Sequence, residues 1–168
     1  PDGYNLESVN TLTLPAEASA TPAIAEDGTA YVGTIGGQLV AFDPEADAVS
    51  WAADVGGSPI GHPAIRADGT VFTVVTTSEG LDHLVGVTAG GKVVFDEEVG
   101  GADASPALGA SGEVYLGHYT GDLLAENDPD LHLISAWDAD GAPLWDVNPG
   151  GLSTPLAVSP SGDLYFGT

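Results

Sequence analysis

The chain has 168 residues, of which 25 are acidic and two, Arg66 and Lys92, are basic, giving a formal net charge of −23. Nucleic acids and anionic membrane surfaces bind proteins through clustered Lys and Arg side chains, so this composition excludes both as partners. The absence of Cys excludes disulfides and thiolate chemistry, and no run of about 20 apolar residues is present that would insert into a membrane.

The remaining composition is that of a turn-rich folded protein. Gly occurs 24 times and Pro 12 times, yet 43% of the residues are apolar, which argues against disorder. The scarcity of Lys, Arg and Cys favours an exported protein that is extracellular, periplasmic or located at the cell surface. A saline habitat, bound divalent cations or a cationic partner would each relieve the self-repulsion of so many carboxylates.

The N-terminal part of the chain predicts a tail followed by a strand. Residues 1–8 have no sustained pattern, whereas residues 9–14 alternate with β-branched residues and stop at Pro15. We interpret residues 9–14 as the last strand of a unit whose earlier strands are not in this sequence. The absence of Met and of a signal-like segment indicates a processed or excised piece of a longer protein.

A fourteen-residue motif then recurs along the chain. It first reads TPAIAEDGTAYVGT from Thr21, and close copies begin at His62, Ser105 and Thr154. Their prolines are 41, 43 and 49 residues apart, and each repeat has the pattern of four short strands separated by turns. Repeats of about 40 residues with four strands each are typical of propeller blades.

The sequence therefore predicts an all-β protein made of four-stranded antiparallel blades. We interpret it as a single segment of a larger ring of seven or eight blades, with three complete blades and part of a fourth. The predicted units are the strand at residues 9–14 and the blades at residues 19–55, 60–99, 104–147 and 153–168.

Two kinds of residue have structural explanations. Each motif has a Gly in its turn, which we expect to adopt a left-handed conformation without a Cβ clash. Large rings recur at one place in the fourth strand, and we expect them to pack between neighbouring blades, where each removes about 150–250 Å² from water. These rings are Trp51, Phe95 and Trp145.

The repeat resembles that of the pyrroloquinoline-quinone-like propellers, which include quinoprotein alcohol dehydrogenases and non-enzymes. The likeness rests on the Ser/Thr-Pro-Ala and Asp-Gly-Thr steps, the Tyr-Val-Gly of the second strand, a Leu-x-Ala strand and a closing Gly-x-x-x-Trp, and it covers residues 9–168. For the enzymes of this family, the resemblance implies that the quinone cofactor is bound by cationic and carboxylate groups near the axis, and often by adjacent cysteines. This chain has one Arg and no Cys, so the resemblance favours the non-catalytic branch and no quinone cofactor.

The alternating direction of the strands places the candidate binding residues on one face of the propeller. In a four-stranded blade, the connection between the second and third strands lies on the same side as the connection to the next blade. The longest insertions, at residues 76–83 and 119–131, fall in such connections, and long loops on a rigid scaffold often bind ligands. The candidate binding-face residues are His62, Asp103, His118, Tyr119 and Asp122.

One loop on that face has the composition of a calcium site. Glu126, Asp128 and Asp130 form a run of carboxylates, and calcium prefers such oxygen ligands. The alternative is a solvated acidic loop. His62 and His118, in adjacent blades, also leave open a shared metal position near the axis, although the sequence offers no third ligand at a defined spacing.

We expect a non-catalytic binding or scaffolding module that holds a protein partner, or the remainder of its own propeller, through its acidic loop face. Two alternatives stay open at this point. One is a fragment of a quinone-dependent dehydrogenase, and the other is a calcium-dependent adhesion or surface-assembly domain.

Overall fold

The computed structural model describes residues 13–102, 105–120, 132–151 and 155–167. The described residues form short β-strands throughout, and none of them lies in a helix. The strands are β1 (Ala23–Ile24), β2 (Ala30–Thr34), β3 (Gln38–Asp43), β4 (Ala48–Asp54), β5 (Ser58–Ile65), β6 (Val71–Thr76), β7 (Asp82–Val87), β8 (Val93–Gly100), β9 (Ala107–Leu108), β10 (Val114–Tyr119), β11 (His132–Trp137), β12 (Pro143–Val147), β13 (Ala157–Val158) and β14 (Leu164–Tyr165).

Consecutive strands pair with each other and build one sheet per repeat. The sheets β1 to β4, β5 to β8 and β9 to β12 each have four antiparallel strands in chain order, and β13 pairs with β14 alone. We call these sheets blades one to four. The prediction of an all-β protein with four-stranded antiparallel blades is therefore confirmed. Within the described ranges there is no helix of the length and apolar character needed to cross a bilayer.

The innermost strands differ from the prediction. Blade two was predicted to begin at residue 60, but its first strand, β5, already begins at Ser58 and contains an irregularity between Ile60 and Ala64. The bulge forms where Pro63 lacks the N–H that a regular ladder would use. At the N-terminus, Thr13 and Leu14 lie outside any strand, and the rest of the strand predicted at residues 9–14 lies outside the described residues.

The turns between the first and second strands have the predicted geometry. The Gly of each turn has a positive φ between 82° and 96°, and its N–H donates to the carbonyl three residues earlier. The prediction that these glycines are left-handed is confirmed. They are Gly28, Gly69, Gly112 and Gly162.

The core lies between blades. The second strand of each complete blade is buried almost throughout because both of its faces are covered. Tyr31 of blade one packs with Val71 and Val75 of blade two, whereas Val74 on the other face of β6 packs with Leu116 of blade three. Each interface between blades therefore contains its own apolar cluster.

A large ring at the outer strand closes the first interface. Trp51 packs against Tyr31 of its own blade, with ring centroids 5.7 Å apart, and its Nε1 donates a 2.8 Å hydrogen bond to the carbonyl of Ala89 in blade two. The ring lies on Gly91, where a Cβ atom would stand 2.9 Å from it. The glycine of one blade is thus required by the ring of the preceding blade.

The interface between blades two and three has the same arrangement, with side chains of different size. Phe95 of blade two lies on Gly141 of blade three, where an added Cβ would stand 2.7 Å from the ring. Phe95 also packs against Trp137 of blade three at 6.0 Å. A smaller ring on one side is matched by a larger ring on the other, which keeps the interface filled.

Blade one has an aspartate at the place of these glycines. Asp47 stands four residues before Trp51 and has a φ of 52°, the one positive value among the described residues other than glycine. Asp tolerates the left-handed region better than most side chains. The backbone of this turn is therefore preserved although the sequence pattern is broken.

We expect Gly91→Ala to destabilise the protein more than Gly28→Ala. Both positions have a left-handed φ, but an added Cβ meets nothing within 4 Å at Gly28 and meets the Trp51 ring at Gly91. Backbone strain alone should lower the unfolding free energy by about 1 kcal/mol at position 28, and displacement of the ring should raise the loss to about 2–4 kcal/mol at position 91. Urea unfolding of both variants measures the difference, and equal losses would contradict the role of Gly91.

Candidate functional site

The connections between second and third strands lie on the same side of the blades as the connections between blades. We call this side the loop face, and the opposite side, which has the hairpin turns at residues 25–29, 43–48, 66–70, 88–92, 109–113, 138–142 and 159–163, the turn face. Between blades one and two the loop face contains a cleft of about 490 Å³. Its lining residues are Ile35, Gly36, Gly37, Asp54, Gly56, Gly57, Ser58, Thr76, Thr77 and Ser78.

The cleft is lined mainly by backbone and hydroxyl groups. Val55 N donates to the Gly37 carbonyl at 3.0 Å, and a Cβ atom at Gly57 would lie 2.5 Å from the Thr76 carbonyl oxygen. The segments around Gly37, Gly57 and Thr76 therefore come so close together that position 57 requires glycine. Asp54 is the one ionisable side chain among the described lining residues, and its Oδ1 accepts a 3.0 Å hydrogen bond from Gly56 N.

A buried carboxylate organises the loop face between blades two and three. Asp82 accepts hydrogen bonds from the Thr76 hydroxyl at 2.6 Å and from Ala102 N at 2.7 Å. Gly101 pairs with Tyr119 through two backbone hydrogen bonds, and the Tyr119 ring leaves no room for a Cβ atom there. The predicted binding residue Tyr119 therefore reaches the loop face, but its side chain is buried.

His62 lies on the axis side of the molecule. Its side chain is exposed at the bulge of β5, where it borders a groove of about 420 Å³ that also includes Thr21 and Pro22. Neighbouring blades are joined at this level, since His62 N donates to Ser105 Oγ at 2.7 Å and Ser19 Oγ donates to the Pro59 carbonyl at 2.8 Å. The sequence analysis gave neither serine a role between blades.

His118 has a different environment. It is only 7% exposed, and its Nε2 lies 2.7 Å from Ser135 Oγ, while no described residue gives Nδ1 a hydrogen bond. Burial lowers the pKa of His118, and the Val99 backbone and the Asp146 charge act in the opposite direction. Its side chain shares a strand face with Val114 and Leu116, which pack on blade two, so it is part of the blade interface.

The described residues do not assemble a metal site around the histidines. Within residues 13–102, 105–120, 132–151 and 155–167, no group of three or more His, Asp or Glu side chains is arranged to hold a metal ion. The remaining candidates lie outside the described residues, so the calcium prediction stays a prediction. They are Asp103, Asp122, Glu126, Asp128 and Asp130.

Both cations of the chain belong to the turn face. Arg66 Nε and Nη2 donate to the Asp68 carboxylate at 3.0 and 2.7 Å, and Nη1 donates to the Ala139 carbonyl of blade three at 2.7 Å. The guanidinium holds the pKa of Asp68 far below its ordinary value and lies 5.4 Å from the Phe72 ring centroid. Lys92 closes the turn between β7 and β8.

Arg66 also borders a cleft of about 570 Å³ on this face, between blades two and three. All three nitrogens of the guanidinium donate hydrogen bonds within the protein, so Arg66 is not a free cation for a ligand in this cleft. Sequence reasoning counted Arg66 only as the single Arg of the chain, too little positive charge for nucleic acid or a quinone cofactor, and missed its role as a link between blades. Its place two residues before Asp68, at the start of a turn, was the available signal.

Comparisons with solved structures place the chain among β-propellers. BamB from Moraxella catarrhalis aligns over 78% of this chain and 38% of its own, with 25% identity and a TM-score of 0.57. The quinohemoprotein alcohol dehydrogenase ADHIIG from Pseudomonas putida HK5 aligns over 73% of this chain and 26% of its own, with 19% identity and a TM-score of 0.57. The computationally designed Ika4 protein aligns over 98% of this chain and 99% of its own, with 15% identity and a TM-score of 0.61.

No protein-family model and no curated protein matches the sequence. The aligned part of the chain covers 38% of BamB and 26% of the dehydrogenase, so it corresponds to less than half of either protein. These likenesses show the propeller fold.

We expect the stability of the protein to fall as the pH drops below about 6.5, in part because of His118. Its pKa is lower in the folded state than the ordinary 6.5, so the unfolded chain takes up the proton first and acidification favours unfolding until the folded pKa is passed. His118→Gln should reduce the decrease in Tm between pH 7.5 and pH 5, whereas His62→Gln, at an exposed position, should not. An identical pH dependence in wild type and His118→Gln would contradict the burial of a neutral imidazole.

Proposed function

We propose that the chain is a non-catalytic binding module of an exported protein, and that its loop face binds a cationic surface of a protein partner. One observation carries the proposal. The two basic residues of the sequence, Arg66 and Lys92, both lie in turns of the opposite face, so no Lys or Arg is available to neutralise the loop face.

The electrostatic consequence follows from the charge balance. A formal net charge of −23 on a chain of this size produces a negative potential that steers cationic partners and repels anionic ones. On the loop face, Asp54 and Glu79 are exposed beside the cleft between blades one and two. The glycine-rich floor of that cleft lets a partner approach the backbone closely.

The family resemblance supports a module without a quinone cofactor. A quinone-binding propeller is implied to use cations near the axis, but the only Arg of this chain is held by Asp68 and by the Ala139 carbonyl on the turn face. The dehydrogenase alternative predicts dye reduction when pyrroloquinoline quinone and calcium are added. Turnover under these conditions would contradict the proposal.

An oligolysine peptide tests the loop face as a stand-in for a cationic partner. The double variant Asp54→Asn/Glu79→Gln should weaken its binding about fivefold, because two exposed carboxylates each contribute roughly 0.5 kcal/mol. Asn keeps the oxygen that accepts from Gly56 N, so the local fold is retained. Titration calorimetry at two salt concentrations gives the affinity and its salt dependence.

The matched control is Glu26→Gln/Glu45→Gln, which removes the same charge from exposed positions of the turn face. This control should bind the peptide about as tightly as wild type. Equal weakening by both double variants would show that only net charge matters, and binding that does not respond to salt would exclude the electrostatic mechanism.

A further inference from the structure

The two interfaces between complete blades differ in the donor that reaches one turn carbonyl. Between blades one and two, the Trp51 indole lies on Gly91 and its Nε1 donates to the Ala89 carbonyl at 2.8 Å. Between blades two and three, the smaller ring of Phe95 lies on Gly141. Phe95 therefore repeats the packing of the tryptophan but has no N–H to donate.

Arg66 supplies the missing donor from another turn. Its Nη1 donates to the Ala139 carbonyl at 2.7 Å, and this carbonyl corresponds in the repeat to that of Ala89. The first turn of blade one has Ala25 at the place of Arg66. Between blades two and three, the ring and the donor thus belong to two separate side chains, whereas one indole provides both between blades one and two.

A cleft of about 300 Å³ lies beside these two side chains, a volume at the lower end of those that hold small ligands. The apolar part of its wall consists of Val94 and the rings of Phe72 and Phe95. Val94 is 53% exposed, so apolar surface is open to a ligand. Trp137, which packs on Phe95, is buried and does not border the cleft, and the open volume therefore lies outside the packed interface.

The polar groups of the cleft favour a neutral ligand. Asp140 stands where blade two has Gly90 and adds an exposed carboxylate to the wall, and together with Asp68 it disfavours an anion. Arg66 in the wall and Lys92 in the adjoining turn disfavour a second cation. The carboxylate of Asp140 can accept a hydrogen bond, so a neutral ligand with an N–H or O–H group suits the cleft best.

We propose that this cleft binds a small neutral aromatic ring that carries a hydrogen-bond donor, such as an indole. The ring packs between Val94 and Phe95 beside the Arg66 guanidinium, which also attracts an aromatic face. Its N–H donates to the Asp140 carboxylate. The Trp51 indole, held at the corresponding carbonyl between blades one and two, supports this choice of ring. The site lies on the turn face and is independent of the partner proposed for the loop face.

Indole and 1-methylindole, which has the same ring without the N–H, test the site in amide NMR titrations. Both should shift the signals around the cleft saturably, and indole should bind about fivefold more tightly because only its N–H reaches the carboxylate. In Asp140→Ala the two compounds should bind equally, with the affinity of 1-methylindole unchanged. The Trp51 Nε1–H signal should not move, because that donor is already bonded to Ala89.

Two sources of the ring are distinguished by a parallel titration with N-acetyl-tryptophanamide. Binding of this compound assigns the cleft to a tryptophan side chain, whereas binding of indole alone assigns it to a free small molecule.

The blocking variant is Phe95→Trp, whose larger ring fills part of the cleft. It should weaken indole binding about tenfold or more while keeping a Tm near that of wild type. If this variant does not fold, Asp140→Ala, at an exposed position, still decides the question. Three results would overturn the proposal: no saturable shifts around the cleft in wild type, equal affinities of wild type for indole and 1-methylindole, or undiminished binding of indole by folded Phe95→Trp.

Discussion

The packing of one blade's outer ring onto the turn backbone of the next blade is the contact on which the rest of the structure depends. Hydrogen bonds hold strands together within a blade, but blades are joined by side chains. Trp51 lies on Gly91 and Phe95 lies on Gly141 at the outer rim. Near the axis, the hydroxyl of Ser19 donates to the Pro59 carbonyl and that of Ser105 accepts from His62 N. The angle between blades is therefore fixed at both ends.

A rigid arrangement of blades separates the two faces chemically. The hairpin turns are short and use local hydrogen bonds, such as those of Asp43 and Asp138 with the N–H groups that follow them. Both cations are placed among these turns, and Arg66 joins two of them. The loop face has the longer connections and carboxylates without neighbouring cations, which is the asymmetry that the proposed partner binding uses.

The sequence predicted what is local and missed what arises between blades. The motif from Thr21 onward predicted strands and left-handed glycines because turn geometry depends on adjacent residues. The Gly-x-x-x-Trp pattern places a glycine and a ring four residues apart in one blade, whereas the ring that lies on Gly91 is Trp51 of the preceding blade. The burial of His118 and the early start of β5 depend on neighbouring blades and were likewise not predictable, and Asp103, Asp122 and the loop with Glu126 lie outside the described residues.

Native-state hydrogen exchange of Trp51→Ala tests the ring contact between blades most directly. If the ring couples blade one to blade two, the opening free energies of the β2 and β3 amides should fall by about 3–5 kcal/mol, as for the truncation of a large core ring. The β10 and β11 amides, which lie beyond the intact Phe95 contact, should keep more of their protection. Unchanged protection of β2 and β3 in the variant would contradict the account.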